Sequence, residues 1–99
     1  MRIIPLEEGK TAVFALEGRL DTNSAPQLDS FATDIYASGL HDIAIDMSSC
    51  PYISSAGLRV IVTMQKRATT EGSLVLRNVP PEVMDTLVSV GFDTILTFE

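Results

Sequence analysis

The run from Ile43 to Thr70 leaves this chain little choice of fold class. It opens on an apolar triplet, Ile43-Ala44-Ile45, of strand-forming character. It closes on a helical pattern. Leu58, Ile61, Val62 and Met64 recur along one side, while Arg59, Thr63, Lys66, Arg67 and Thr70 share the other. A strand that feeds a long amphipathic helix, followed by a further strand, is the repeating unit of α/β proteins. The triplet is continuous rather than alternating, which predicts a central parallel strand covered on both faces.

The joint between strand and helix is Tyr52-Ile53-Ser54-Ser55-Ala56-Gly57. A serine oxygen at a helix start accepts from a free backbone amide and caps the helix. The same place lies at the positive end of the helix dipole, where outward-pointing amides suit an anion such as phosphate. From spacing alone both readings stand: a cap, or a site meant to carry negative charge. One serine suffices for a cap, and two leave a hydroxyl over.

The rest of the chain agrees with the α/β reading. Arg2–Leu6 is short and holds Pro5, so it is expected as an edge strand. A turn over Glu7–Lys10 joins it to a strand over Thr11–Glu17. The loop Gly18–Ser24 leads to a first helix starting near Ser24 or Ala25, with Pro26 in its first turn and Leu28, Phe31, Ala32 and Ile35 inward. Gly39 ends it. A strand over Asp42–Asp46 and a loop from Met47 to Pro51 come next, then the second helix, ending at Gly72. Ser73–Arg77 is a strand, and Glu82–Val90 a third helix with Val83, Met84, Leu87 and Val88 inward. Thr94–Phe98 is a last strand. The expected fold is a small mixed sheet, mostly parallel, with helices packed on it, in the order β-β-α-β-α-β-α-β. It spans 1–99 as one domain.

Composition narrows the function. Thirteen acidic residues against seven basic ones give a formal charge of −6. Such a surface repels a phosphate backbone and argues against direct nucleic-acid binding. The N-terminus is too quickly acidic for a signal peptide, and no apolar run approaches the ~20 residues that span a bilayer. A cytoplasmic protein is expected, with no membrane partner. The single cysteine, Cys50, cannot form an internal disulfide and reads as a buried small residue rather than a redox thiol.

Enzymatic readings fare poorly. Ser55-Ala56-Gly57 supplies half of a nucleophile elbow, but Ile53 stands where the first glycine belongs. The only histidine, His41, precedes the strand whose far end leads to the serines, so no base is within reach. No phosphate-binding loop of the G-x-x-x-x-G-K-[ST] form occurs. Asp42 and Asp46 are isolated, and no His or Cys cluster suggests a metal. No cofactor is expected.

Tyr52 to Val62, preceded by Ile43-Ala44-Ile45-Asp46-Met47-Ser48, resembles the signature of STAS domains, which include the bacterial anti-sigma factor antagonists. Gly18-Arg19-Leu20-Asp21 is similar to the Gly-x-Leu-Asp that follows the second strand in that family. The family run reads Asp-Ser-Ser-Gly-Leu or Asp-Ser-Thr-Gly-Leu. Alignment on Gly57-Leu58 therefore places Ser55 on the phosphorylatable serine, Ser54 on the aspartate and Ala56 on the second hydroxyl residue. The resemblance implies a regulatory module, not an enzyme. It would bind an anti-sigma factor with a serine protein kinase fold, be switched off by phosphorylation of Ser55, with Ser54 as second choice, and be reset by a serine phosphatase. Asp21, Thr22, Asn23, Ser54, Ala56, Gly57 and Arg59 are the expected docking residues. The alternatives are a STAS module in another phosphorelay or stress-signalling assembly, or a nucleotide-binding regulatory domain. Many relatives carry a further helix after the last strand, and this chain reads to Phe98-Glu99 without one. Leu96 and Phe98 are thus expected to be exposed or to meet a second copy in a weak homodimer.

Overall fold

The computed structural model describes the backbone of residues 1–99 and all side chains but those of Glu7 and Glu8. Five strands form one sheet: β1 (Arg2–Glu8), β2 (Thr11–Glu17), β3 (Asp42–Ser49), β4 (Ser73–Arg77) and β5 (Thr97–Phe98). Their order in the sheet is their order in the chain. β1 and β2 form an antiparallel hairpin, in which Gly9 takes a positive φ of 66° that a side chain would disfavour. Each later strand joins its predecessor in parallel. Pro5 lies on β1, at the sheet's outer edge, where a missing amide breaks no ladder.

Parallel neighbours need crossovers, and three helices supply them: α1 (Ala25–Ala37), α2 (Ser55–Glu71) and α3 (Pro81–Ser89). The strands step always in one direction, so right-handed crossovers set all three helices on the same face. Packing agrees. Leu28, Ala32 and Tyr36 of α1, Ile61, Met64 and Ala68 of α2, and Val83 and Leu87 of α3 join one core with Phe14, Leu16, Ile43, Ile45, Met47, Leu74 and Leu76. β3 is expected to be covered on both faces, and Ile43, Ala44 and Ile45 are all buried, but the helices lie on one face only. Ile43 and Ile45 point to the helices. Ala44 points away and is in register with Val13 and Val75 on the other face. Its short side chain is buried among its sheet neighbours, so the triplet stays apolar without a second helical layer.

Three boundaries and one side-chain orientation also differ. β1 runs through Glu8, so the expected turn over Glu7–Lys10 shrinks to Gly9 and Lys10. β3 continues through Met47 to Ser49, because Met47 faces the core while Ser48 and Ser49 are exposed at the strand's end. Val88 of α3 lies outward and is 53% exposed. The segment expected as strand from Thr94 begins instead as a 3-10 turn over Phe92–Thr94, entered through Gly91 at φ 78°, and only Thr97 and Phe98 pair with β4. That turn tucks Leu96 into the core. Leu96 is buried and Phe98 is half-buried against the core, so neither offers the exposed apolar surface foreseen for self-association.

Candidate phosphoacceptor site

The site forms where two loops meet past the ends of β2 and β3. The first is Gly18–Ser24 and the second is Cys50–Ser54. Leu20 stitches them together. Its amide donates to the Tyr52 carbonyl at 2.9 Å, and its carbonyl accepts from the Ser54 amide at 2.8 Å, a one-residue parallel bridge between Leu20 and Ile53. Gly18 adds a bond from its amide to the Ser49 carbonyl, 2.9 Å. The Leu20 side chain is fully buried beneath the junction.

Gly57 is what permits this closeness. A Cβ built there would lie 2.6 Å from Leu20 Cγ and 2.9 Å from the Leu20 carbonyl oxygen. Gly57 itself is buried, so it supports the junction from beneath rather than lining an exposed surface.

The two serines divide the work. Ser54 has extended backbone at the N-cap of α2, and its hydroxyl accepts from the Gly57 amide at 3.2 Å. Ser55 is the first helical residue and exposed, and its hydroxyl makes no hydrogen bond among the described residues. The cap uses one hydroxyl and the other stays free. Ala56, beside it, is half-buried.

Asp21, Thr22 and Asn23 follow Leu20 in the first loop. Thr22 and Asn23 are exposed. Asp21 is spent on its own loop: its Oδ1 accepts from the amides of Asn23 and Ser24, both at 3.0 Å. The Ser24 amide is the main reason its carboxyl is held below the ordinary 3.8, and Arg19 helps through a 3.9 Å ion pair. Ser24 in turn does not cap α1 with its hydroxyl. The hydroxyl accepts from the Asp21 amide at 2.9 Å and donates to the Arg19 carbonyl at 2.7 Å. Arg19 lies over the Tyr52 ring, 4.1 Å from its centre, which ties the two loops a second time.

From Ser55 an open groove of about 360 Å³ runs along α2. Leu58, Val62, Val90 and Phe92 give it an apolar lining, and Ser55, Arg59, Thr63 and Lys66 give it a polar and cationic one. The sequence placed Arg59 and Lys66 on the outer helix face, and both are exposed. It did not foresee Val90 and Phe92, because their part of the groove depends on the 3-10 turn.

His41 belongs to the opposite end of the sheet. Its carbonyl accepts from the Ser73 amide at 3.1 Å, before β3 begins, and its ring stacks near Tyr36. Cys50 is fully buried, and burial raises its thiol pKa, so little of it is thiolate at neutral pH. No helix among the described residues is long and apolar enough to cross a membrane.

Known proteins share this fold. The STAS domain model matches residues 3–99, so the chain belongs to the STAS domain family. A Bordetella bronchiseptica protein, BtrV, provisionally named an anti-sigma factor antagonist, is 31% identical over 81 residues, covering 81% of this chain and 70% of its own. Two solved structures share the fold. The Thermotoga maritima protein tm1081 has TM-score 0.91 at 19% identity, over 97% of this chain and 84% of that one. The Bacillus cell fate determinant SpoIIAA, in its phosphorylated form, has TM-score 0.73 at 17% identity, over 99% and 91%.

Proposed function

We propose that this protein is an anti-sigma factor antagonist whose grip on its partner is broken by phosphorylation of Ser55. The observation that carries the reading is the division of labour at the start of α2: Ser54 is occupied by the cap, while the Ser55 hydroxyl is exposed and unused. The name of the BtrV relative supports the sigma-factor role, and a STAS fold solved in a phosphorylated form supports the chemistry.

In this reading the anti-sigma factor has a serine kinase fold and docks over the rim of Thr22, Asn23, Ser55 and Arg59, in the cytoplasm. The γ-phosphoryl group passes from the partner's ATP to Ser55 Oγ. The new O–P bond forms as the β,γ bond of ATP breaks, ADP leaves, and the hydroxyl proton goes to a base on the kinase. This chain supplies the acceptor and the docking surface, not the catalyst. The phosphate adds about −1.5 to −2 charge at neutral pH. At the first residue of α2 the helix dipole tolerates that charge, so the fold need not change. An interface closed over the same spot does not tolerate it, because a desolvated charge is costly unless paired. A serine phosphatase reverses the step.

The test is phosphate transfer from the cognate kinase and ATP, followed by mapping of the modified residue. Ser55 is expected to carry the label and Ser55→Ala to abolish it. Equal labelling of Ser55→Ala, or label found on Ser54, refutes the assignment.

A further inference from the structure

Arg59 is the odd arginine of this molecule. Arg2 pairs with Glu17, Arg19 with Asp21, Arg67 with Glu71 and Arg77 with Glu99. Arg19 and Arg67 also lie over tyrosine rings. Among the described residues the Arg59 guanidinium has neither an acidic partner nor a ring. It lines the same groove as the free hydroxyl of Ser55, and among the described residues no acidic one lines that groove with them. The two positions are four apart on α2. That is one turn, about 6 Å of rise, with both side chains on one face. In a chain of net charge −6, an exposed arginine left without a counter-charge beside a free hydroxyl is a local inversion of the surface.

We propose that Arg59 is the intramolecular counter-ion of the phosphoryl group on Ser55, folding back one turn to hold two phosphate oxygens with its planar fork. The inference rests on Ser55 being the acceptor and adds how the modified state is held. Guanidinium and phosphate match in geometry, and a bidentate pair is stronger and more directional than a lysine contact. Lys66 cannot substitute. It lies eleven residues on, about 16 Å along the axis. The consequence is a switch with two strokes. Phosphorylation puts a negative charge where a partner docks, and it also withdraws the cation that the unmodified groove offers to a partner's acidic group.

The experiment needs no kinase. Phosphoserine is installed at position 55 by genetic encoding, and the second ionisation of the phosphate is followed by phosphorus NMR from pH 4 to 8. Parent, Arg59→Gln, Arg59→Lys and Lys66→Gln are compared at about 50 mM and 500 mM salt. The helix dipole acts on all four alike, so differences report the side chains. A cation that favours the dianion lowers the midpoint. It is expected about half a unit lower in the parent than in Arg59→Gln at low salt, intermediate in Arg59→Lys and unchanged in Lys66→Gln. High salt should shrink the gap. The Arg59 Nε proton should also move downfield as the dianion forms. Equal midpoints in parent and Arg59→Gln at low salt overturn the proposal, as does a shift caused by Lys66→Gln alone. Because the phosphate is installed directly, such a failure leaves the kinase reading standing. Absence of kinase labelling at Ser55 would likewise leave this titration intact.

Discussion

The two ends of β3 use the same device for different purposes. Before the strand, Gly72 lies against the His41 backbone, where a Cβ would collide with the carbonyl group. After it, Gly57 lies against Leu20 in the same way. At the first end the contact closes a corner. The Ser73 amide bonds the His41 carbonyl, and the Ser73 hydroxyl bonds Asp42 Oδ1 at 2.9 Å. The group left over there, His41 Nδ1, is buried and sealed from solvent. At the second end the contact holds two loops flush, and one hydroxyl is left over. Close glycine packing is therefore not the mark of a site. The mark is a reactive group that local structure positions, does not use and leaves exposed, as at Ser55.

That contrast can be broken in graded steps. Gly72→Ala should be the most damaging, since the methyl meets the His41 carbonyl carbon at 2.6 Å and the backbone there cannot give cheaply. We expect a loss of about 3 kcal/mol in urea unfolding, with Ser55 still a competent acceptor in the folded fraction. Gly57→Ala should cost less, about 2 kcal/mol, because the Leu20 side chain can move although its carbonyl cannot. It should also slow Ser55 phosphorylation, because displacing Leu20 loosens its 2.8 Å bond from the Ser54 amide. If both variants lost the same activity per folded molecule, the two ends would not differ as described.

Smaller changes sharpen the division between the serines. Ser54→Ala removes the acceptor for the Gly57 amide and should cost about 1 kcal/mol. Ser55→Ala removes a hydroxyl that bonds nothing and should stay within about 0.5 kcal/mol of the parent. Equal costs in thermal unfolding would show that the cap is shared. The smallest effect belongs to Asp21→Asn. The Asp21 carboxyl is held below 3.8 in the folded protein, chiefly by the Ser24 amide. Its contribution is present above the unfolded value and lost as pH falls through the folded one. Parent and variant should therefore differ slightly at neutral pH and converge only as pH falls through the folded value, which lies below 3.8. A gap that persists in acid would trace the role of Asp21 to shape rather than charge.

Much of this was legible in the residues. The helical spacing of Leu58, Ile61 and Met64 defined α2, and Ser54-Ser55 marked where it begins. Pro5 correctly signalled an edge. What escaped the reading was whatever depends on distant partners. Met47 looked like loop because two serines follow it, yet its side chain closes the core beside Ile45. Leu20 stood in a polar loop with no periodicity to flag it, and only the tertiary fold buries it under Gly57. The Phe92–Thr94 turn broke an apolar run that local propensity favoured as strand, because Leu96 finds more cover beneath the helices than on an edge. Arg59 was picked out by its helix face, but its isolation emerges only when the partners of the other arginines are known.

The strand order has a bearing on biogenesis. Each strand adds beside the one made just before it, so a chain leaving the ribosome never has to insert between strands already paired. The β1–β2 hairpin can form at once as a template, and every crossover helix that follows delivers one more strand to the open border. Each parallel pairing still closes a long loop, about thirty residues for Ala12 with Ile43, so the later strands are the slow ones to join. The unsealed stage is the last, before Leu96 drops into place, and a nascent chain halted there would offer chaperones the underside of α3.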